Sequence, residues 1–160
     1  MNIRKATTDD LDIVTNIEST CFPPVEAAPR EAFKERLAHY ADHFLIIFDG
    51  DTPIGFIDGF VTDDEILTDE MFADASLHNP NGAWQMIFGL NTMPAYRNRG
   101  VGGQLIEAFI ELAKAENRKG VILTCKEEKI HYYAKFGFVN EGESVSDHGG
   151  AKWYQMRVVF

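Results

Sequence analysis

The sequence predicts an α/β protein of the α+β type, with a mixed, mostly antiparallel sheet flanked by helices. Short apolar segments with strand character stand near both ends of the chain, and turn residues between them favour antiparallel hairpins. In the middle, a strand, a long amphipathic helix and another strand follow one another, which is typical of a parallel crossover. At 160 residues, the chain is expected to form one domain that covers residues 1–160.

The first part of the chain is predicted to contain a strand, two helices and a hairpin. Residues 7–10, Thr-Thr-Asp-Asp, supply a helix cap and early negative charge, and the spacing of Leu11, Val14 and Ile17 is helical. A turn at residues 49–51 joins the two hairpin strands. The predicted segments are a strand at 2–6, helices at 11–22 and 30–41, and strands at 43–50 and 52–62.

The remaining elements follow an acidic, irregular stretch at residues 63–83, for which one helical turn is expected. A continuous apolar run at residues 84–93 indicates a central strand, which Pro94 ends. Apolar residues recur at helical spacing after Gly102, and Gly137 can end a short helix. The predicted segments are a strand at 84–93, a helix at 102–117, a strand at 121–125, a helix at 129–136, and strands at 138–144 and 152–160.

Composition limits the classes of partner. The formal charge of −10 argues against a nucleic-acid partner, because phosphate backbones are held by basic surfaces. The same charge favours a cationic small substrate, although a solvated acidic surface is the simpler explanation. No apolar run approaches the roughly 18 residues of a membrane span, so no membrane partner is expected.

The two cysteines, Cys21 and Cys125, stand far apart and lack metal-ligand spacing, so no metal site is predicted. The amino-terminal residues contain no apolar export signal. Free thiols in a chain that is not exported suit a reducing cytoplasm, which is the expected location. Cys125 is interpreted as a buried strand residue.

Two arginines and three glycines precede the long helix, in the segment Tyr-Arg-Asn-Arg-Gly-Val-Gly-Gly of residues 96–103. Glycines allow tight turns, and a helix start offers unpaired N–H groups and a positive dipole end, so the segment predicts an anion site. A P-loop needs a lysine that is absent, and Leu105 stands where a dinucleotide fingerprint needs its third glycine. The residues expected to face the anion are Arg97, Asn98, Arg99, Gly100, Val101, Gly102 and Gly103.

The spacing Arg-x-x-Gly-x-Gly of residues 97–102 resembles the pyrophosphate loop of the GNAT superfamily of acyl-CoA-dependent N-acyltransferases. Residues 90–106 resemble that family's central strand, loop and helix, and residues 123–138 its next strand, tyrosine helix and Phe-Gly-Phe turn. Residues 21–28 resemble small bacterial relatives of serotonin (arylalkylamine) N-acetyltransferase. The resemblance implies the GNAT fold, with a central, splayed pair of parallel strands, and coenzyme A pyrophosphate as the anion.

The resemblance also implies roles for particular residues. Backbone groups of Leu90, Asn91 and Thr92 would pair with the pantetheine arm between the splayed strands. The N–H of Leu90 would stabilise the oxyanion that forms on the thioester. Tyr133 matches the family tyrosine beside the sulfur and would act as general acid; its alternative role is that of a core aromatic residue. Acetyl-CoA is the implied co-substrate, with direct transfer to an amine.

The proton acceptor does not carry over from the family. The animal serotonin enzymes have a histidine pair on the central strand, and the matching residues here are Met86 and Phe88, which accept no protons. The remaining candidates are Glu26, Asp58, His78, His148 and a chain of water molecules. Glu26 is the residue predicted to meet the substrate ammonium group, with a solvated loop carboxylate as its alternative interpretation.

The predicted function is acetyl-CoA-dependent N-acetylation of a primary amine, with a small cationic amine favoured as acceptor. Two alternatives stay open: acetylation of a protein or peptide amino terminus or lysine, and a non-catalytic acyl-CoA sensor on the same fold. A homodimer is left open as well, and the sequence identifies neither the amine nor the general base.

Overall fold

All 160 residues are described by the computed structural model. The chain divides into two units: one contains residues 1–59 and 89–109, and the other contains residues 60–88 and 110–160. Each unit has one hydrogen-bonded sheet, four-stranded in the first and five-stranded in the second. The predicted fold class is confirmed, because helices accompany an antiparallel sheet and a second sheet that contains a parallel strand pair.

Nine strands and five helices follow one another along the chain. The strands are β1 (Asn2–Lys5), β2 (Phe44–Asp49), β3 (Thr52–Asp58), β4 (Val61–Thr62), β5 (Trp84–Met86), β6 (Gly89–Thr92), β7 (Gly120–Cys125), β8 (Val139–Glu143) and β9 (Tyr154–Val159). The helices are α1 (Leu11–Cys21), α2 (Arg30–Tyr40), α3 (Asp69–Ala73), α4 (Val101–Ala115) and α5 (Ile130–Ala134).

The sheet of the first unit is entirely antiparallel, with the strand order β1-β2-β3-β6. Thr7 caps the turn before α1 as predicted, because it forms a capping box with Asp10. The core is aromatic: the ring centroids of Phe33, Phe44 and Phe56 lie 5.1, 5.7 and 6.3 Å apart. As the edge strand of this sheet, β6 has a strand partner on one side only.

The sheet of the second unit has the strand order β4-β5-β7-β9-β8. Strands β5 and β7 are parallel, with Met86 beside Ile122, and the other pairs are antiparallel. This confirms the parallel pair that the central β-α-β order predicts. The acidic stretch forms only the five-residue α3 and a short 3-10 turn, as expected of an irregular segment. None of the helices is long and apolar enough to cross a membrane.

The prediction of one continuous strand over residues 84–93 is wrong. The run breaks after Met86, and its two parts, β5 and β6, belong to different sheets. The N–H of Ile87 still bonds to the carbonyl of Ile122 at 2.9 Å, whereas from Gly89 onward the chain pairs with β3. Both parts are apolar, so hydrophobic pattern alone does not reveal the change of partner.

The predicted strand over residues 52–62 divides in the same manner, into β3 and β4, which also join different sheets. The long helix begins at Val101, one residue before its predicted start, and ends at Ala115. Apolar residues at helical spacing form its buried stripe, as the pattern after Gly102 predicts: Leu105, Ile106, Phe109, Ile110 and Ala113 are buried, whereas Leu112 is only half-buried.

Candidate active site

The predicted anion site lies on the turn that leads into α4, and residues 97–103 are called the anion loop below. The backbone is left-handed at Asn98, where φ is 63°, and at Gly100, where φ is 77°. A glycine suits position 100 because other residues rarely adopt this left-handed conformation. Lack of space is not the reason, because a Cβ there would meet no atom within 4 Å. Left-handed residues in a tight turn can direct neighbouring N–H groups towards one side, which favours an anion.

The start of α4 adds further donors to the anion loop. The N–H of Gln104 makes a helical bond to the carbonyl of Gly100 at 3.1 Å. The N–H groups of Val101, Gly102 and Gly103 precede that bond, so they have no helical acceptor. The side chain of Val101 is buried, so it contributes only its backbone to the site.

The arginines of the anion loop are exposed and partly fixed in place. The Nε of Arg97 donates to the carbonyl of Thr92 at 3.2 Å. The Arg99 guanidinium lies 5.3 Å from the ring centroid of Tyr96, and the Tyr96 hydroxyl donates to Asp49 at 2.9 Å. Both arginines therefore bring positive charge to the helix start of an acidic protein.

The edge strand β6 presents backbone groups next to the anion loop in sequence. The N–H of Met93 bonds to the carbonyl of Ile54, so by the antiparallel alternation the groups of Asn91 face β3. Those of Leu90 and Thr92 face the outer edge of the sheet. Asn91 differs from the expectation, because its backbone lies inside the sheet.

Tyr133 lies on the short helix α5 and is half-buried. Its ring packs edge-on against Tyr132 and Phe138, at centroid distances of 5.2 and 6.1 Å. Burial raises the pKa of Tyr133 above its ordinary value, and Cys125 and Tyr132 add to the increase. The phenol therefore keeps its proton at neutral pH and is available as a donor.

Both cysteines are free. Cys125 is buried, its Sγ lies 3.6 Å from the Sδ of Met156, and burial raises its pKa to about 11. The thiol is therefore a poor nucleophile at neutral pH, and the interpretation of Cys125 as a buried strand residue is confirmed. Cys21 is half-buried, and its Sγ donates to the carbonyl of Thr92 at 3.3 Å.

Three of the candidate proton acceptors are either exposed to solvent or already hydrogen-bonded within the fold. Glu26 is exposed on a turn, where its N–H bonds to the carbonyl of Pro23. His78 accepts a hydrogen bond from the N–H of Val61 through Nδ1 at 3.1 Å, so that nitrogen is occupied. His148 is exposed and packs near Trp153.

Met86 and Phe88 stand where the animal serotonin enzymes have histidines, and both are apolar side chains in apolar surroundings. Met86 is completely buried. Phe88 packs against Phe60 and Phe72, each at a centroid distance of 4.8 Å. Neither residue takes part in proton transfer.

The remaining candidate, Asp58, lies fully buried at the end of β3. Its Oδ2 accepts hydrogen bonds from the Tyr40 hydroxyl at 2.9 Å and from Nη1 of Arg36 at 3.3 Å. Burial raises the pKa of Asp58, Arg36 and Tyr40 oppose that increase, and Glu18 adds to it.

Glu18 extends this group of buried polar side chains. It accepts from the Asn91 amide at 2.6 Å and from the N–H of Ala28 at 2.9 Å. We call Glu18, Arg36, Tyr40, Asp58 and Asn91 the buried cluster. The sequence pointed to Asp58 as a candidate base and to Asn91 only for its backbone, and Glu18, Arg36 and Tyr40 were missed. The available signal was a lone arginine on the apolar face of α2 and a lone aspartate in an apolar strand.

The acidic stretch in the second unit is largely engaged in local structure. Asp63 caps the N–H of Ala83, Glu65 pairs with Arg157, Asp69 binds Ser146, and Asp74 binds Ser76. These carboxylates stabilise turns and strand ends. No group of three or more histidine, cysteine, aspartate or glutamate side chains is arranged to hold a metal ion.

Comparison with known proteins identifies the family. The model of the Acetyltransferase (GNAT) family matches residues 11–138. The chain is also 29% identical over 145 residues to the Bacillus subtilis (strain 168) protein named "Probable hydrolase YhcX". The aligned part is 84% of this chain but only 28% of that protein, so the chain spans little more than a quarter of its length.

Two solved structures show the same fold. The GphF GNAT-like decarboxylase in complex with isobutyryl-CoA superposes with a TM-score of 0.85 at 19% identity, covering 99% of each chain. The loading GNATL domain of CurA from Lyngbya majuscula superposes with a TM-score of 0.84 at 14% identity, covering 99% of this chain and 96% of that one. Since the family model matches most of the chain and the fold agrees, this protein belongs to the Acetyltransferase (GNAT) family.

Proposed function

We propose that this protein is an acetyl-CoA-dependent N-acetyltransferase that transfers the acetyl group directly to a primary amine. The observation that carries the proposal is the anion loop, with left-handed backbone at Asn98 and Gly100, unpaired N–H groups at the start of α4, and two exposed arginines. These features suit the pyrophosphate of coenzyme A. The GphF GNAT-like decarboxylase shares this fold, and its complex with isobutyryl-CoA supports an acyl-CoA as the donor.

The edge of β6 suits the pantetheine arm of the same molecule. Leu90 directs its N–H and carbonyl to that edge and Thr92 its N–H, and a peptide-like arm can bond to them as an added strand does. The Thr92 carbonyl already accepts from Arg97 and Cys21. We assign the Leu90 N–H to the thioester oxygen, where it would stabilise the developing oxyanion. The side chain of Asn91 serves the buried cluster, and its backbone is left out of the proposed site.

Tyr133 is assigned as general acid for the departing thiolate. Its pKa is raised by burial, so the phenol is protonated when the carbon–sulfur bond breaks. A thiol has an ordinary pKa of about 8.5, so proton transfer from a tyrosine needs close contact with the thiolate as it forms. The alternative role, core packing, is supported by the contacts of Tyr133 with Tyr132 and Phe138.

A small cationic amine is the proposed acceptor, in line with the formal charge of −10. The resemblance of residues 21–28 to relatives of serotonin N-acetyltransferase supports an amine, and the absence of the histidine pair leaves its class open. We further propose a single domain over residues 1–160 in the cytoplasm. A peptide or lysine acceptor and an acyl-CoA sensor are outcomes that the thiol-release experiment below distinguishes.

Release of free coenzyme A thiol from acetyl-CoA, measured with a panel of amines and peptides, tests the proposed activity. Tyr133→Phe is expected to lower kcat by about 10²–10⁴, the range for a lost general acid, while acetyl-CoA affinity stays within a few-fold. Tyr132→Phe is the matched control and should change little. Binding of acetyl-CoA without acceptor-dependent thiol release would identify a sensor, and equal losses in both variants would indicate damaged packing.

A further inference from the structure

We propose that Asp58 is the general base of this enzyme: its free Oδ1 binds the ammonium group of the substrate and accepts its proton. This inference rests on the proposed N-acetyltransferase activity. It assigns a residue to the deprotonation of the amine, the step for which the histidine pair of the animal serotonin enzymes is missing here. It predicts that the acceptor is an amine that is protonated at neutral pH.

The first observation is an unsatisfied atom. Oδ2 of Asp58 accepts from Tyr40 and Arg36, but Oδ1 has no hydrogen-bond donor although the side chain is 0% exposed. A buried carboxylate oxygen without a donor is strongly unfavourable, so proteins seldom keep one without a use. A charged donor such as an ammonium group binds a carboxylate oxygen more strongly than a neutral donor does.

The second observation is the excess charge around Asp58. The charged groups that act on Asp58 are Arg36 on α2 and Glu18 on α1, with Tyr40 on α2 as a hydrogen-bond donor. On the chain segment that follows β3, the N–H of Gly59 bonds to the backbone carbonyl of His43. Two carboxylates and one guanidinium leave a net charge of about −1 in a buried site, and a cationic substrate neutralises it.

The third observation is the position of Oδ1 next to a residue without a side chain. Asp58 lies opposite Gly89 in the β3–β6 pair. A Cβ placed on Gly89 would lie 2.7 Å from Oδ1, closer than real Cβ atoms come, so Oδ1 lies directly against the Gly89 backbone. Gly89 is itself partly exposed, so Oδ1 lies beside a position of β6 that solvent reaches and that no side chain covers.

The position of Asp58 agrees with the proposed chemistry. Gly89 is followed directly by Leu90, whose N–H we assign to the thioester oxygen. An amine bound to Oδ1 beside Gly89 would therefore stand about one residue along β6 from the group that binds the carbonyl under attack. Burial raises the pKa of Asp58, which brings a carboxylate closer to the neutral range where a general base works best.

The proton balance of the reaction is as follows. The ammonium gives one proton to Oδ1, and the freed electron pair forms the carbon–nitrogen bond while the carbonyl pair moves onto oxygen. Collapse of this oxyanion breaks the carbon–sulfur bond, and the thiolate takes a proton from Tyr133. The nitrogen loses its second proton as the amide forms, which restores the Tyr133 phenol. One proton per turnover thus passes from Asp58 to solvent, and the carboxylate is restored.

The test compares Asp58→Asn with wild type on two amines, one with a pKa of about 10 and one with a pKa of about 7. The variant is expected to lose about 10²–10⁴ in kcat/KM with the strongly basic amine and less than about tenfold with the weakly basic one. A structural role would lower both equally. The acidic limb of the wild-type pH profile that belongs to Asp58 should also vanish. Asp51→Asn, the same change on an exposed turn, is the control.

A second variant covers the case in which Asp58→Asn fails to fold. Gly89→Ala places a Cβ 2.7 Å from Oδ1 and displaces that oxygen, so it is expected to lower kcat/KM for the strongly basic amine at least tenfold with unchanged acetyl-CoA affinity. Wild-type kcat/KM in either folded variant, or equal losses on both amines, overturns the assignment of Asp58 while acetyl transfer itself stands. Absence of transfer by the wild-type protein to every amine would instead refute the proposed function.

Discussion

The anion loop and the buried cluster both belong to the first unit, yet they hold charge by different means. The anion loop is exposed and uses backbone N–H groups, with Arg97 and Arg99 in solvent around them. The buried cluster uses side chains, and its Arg36 is only 8% exposed while Asp58 is 0% exposed. Water screens the charges of the loop, whereas those of the cluster interact without that screening.

This difference sets how strongly each site depends on its individual members. A backbone site loses little when one exposed charge is removed, because the N–H groups and the helix dipole remain. A buried ion pair leaves an uncompensated charge in a medium of low dielectric constant when one partner is removed. Substitutions in the buried cluster should therefore lower the free energy of unfolding, and substitutions in the anion loop should lower the affinity for acetyl-CoA.

The largest effect is expected from Arg36→Met. Removing the guanidinium leaves Asp58 and Glu18 without a positive partner, so the free energy of unfolding should fall by about 3–5 kcal/mol at neutral pH. Urea unfolding measures the change. Arg97→Met is the exposed control and should stay within about 0.5 kcal/mol of wild type. A loss below 1 kcal/mol for Arg36→Met would mean that Asp58 is already neutral in the folded protein.

The pH dependence of that loss follows from the direction of the Asp58 shift. The folded-state pKa is raised above the unfolded value of about 3.9, so the folded state binds the proton more tightly. Lowering the pH through the folded-state pKa towards about 4 protonates Asp58 and removes the unpaired charge. The stability deficit of Arg36→Met should therefore shrink in that window, and a deficit that is constant with pH would contradict the electrostatic explanation.

Gly102→Asp is expected to have an intermediate effect, and on affinity only. The new carboxylate would stand at the start of α4, where it opposes the pyrophosphate and crowds the N–H groups. Acetyl-CoA affinity should fall at least tenfold, which is about 1.4 kcal/mol, as calorimetry would show. Gln104→Asp adds the same charge on roughly the opposite face of the helix, so its loss should be smaller. Equal losses would indicate a general charge effect without a role for the loop backbone.

The two sites also differ in how far the sequence predicts them. The anion loop is contiguous, and its glycines, arginines and helix start are local signals, so a tight turn before a helix could be predicted there. The left-handed backbone at Asn98 and Gly100 is the form that this turn takes. The helices and most strands follow equally local patterns of capping and hydrophobic spacing. For these parts of the fold, residues close in sequence determine the structure.

The buried cluster could not be assembled from the sequence because its members are far apart in the chain. Glu18 and Asn91 are separated by 73 positions and Arg36 and Asp58 by 22, and no local spacing relates them. The break between β5 and β6 escaped prediction for a similar reason, since it depends on which strands bond to each part. Asp58 and Gly89 owe their proximity to the β3–β6 register, which only the structure provides.

The smallest effect, and the one that most directly tests the exposed character of the anion loop, is expected from Arg99→Gln. Arg99 contacts Tyr96 and leaves the N–H groups of the loop untouched, so it contributes only a solvent-screened charge. Its removal should weaken acetyl-CoA binding about two- to fivefold at low salt, since exposed ion pairs contribute roughly 0.4–1 kcal/mol. The difference from wild type should disappear near 1 M salt, where the Debye length is about 3 Å. Lys34→Gln, which removes an exposed charge from α2, controls for net charge. A tenfold or larger loss of acetyl-CoA affinity that persists at high salt would show that Arg99 binds the pyrophosphate by direct, desolvated hydrogen bonds. The contrast between a loop whose charges are screened by solvent and a buried cluster whose charges are not would then no longer hold.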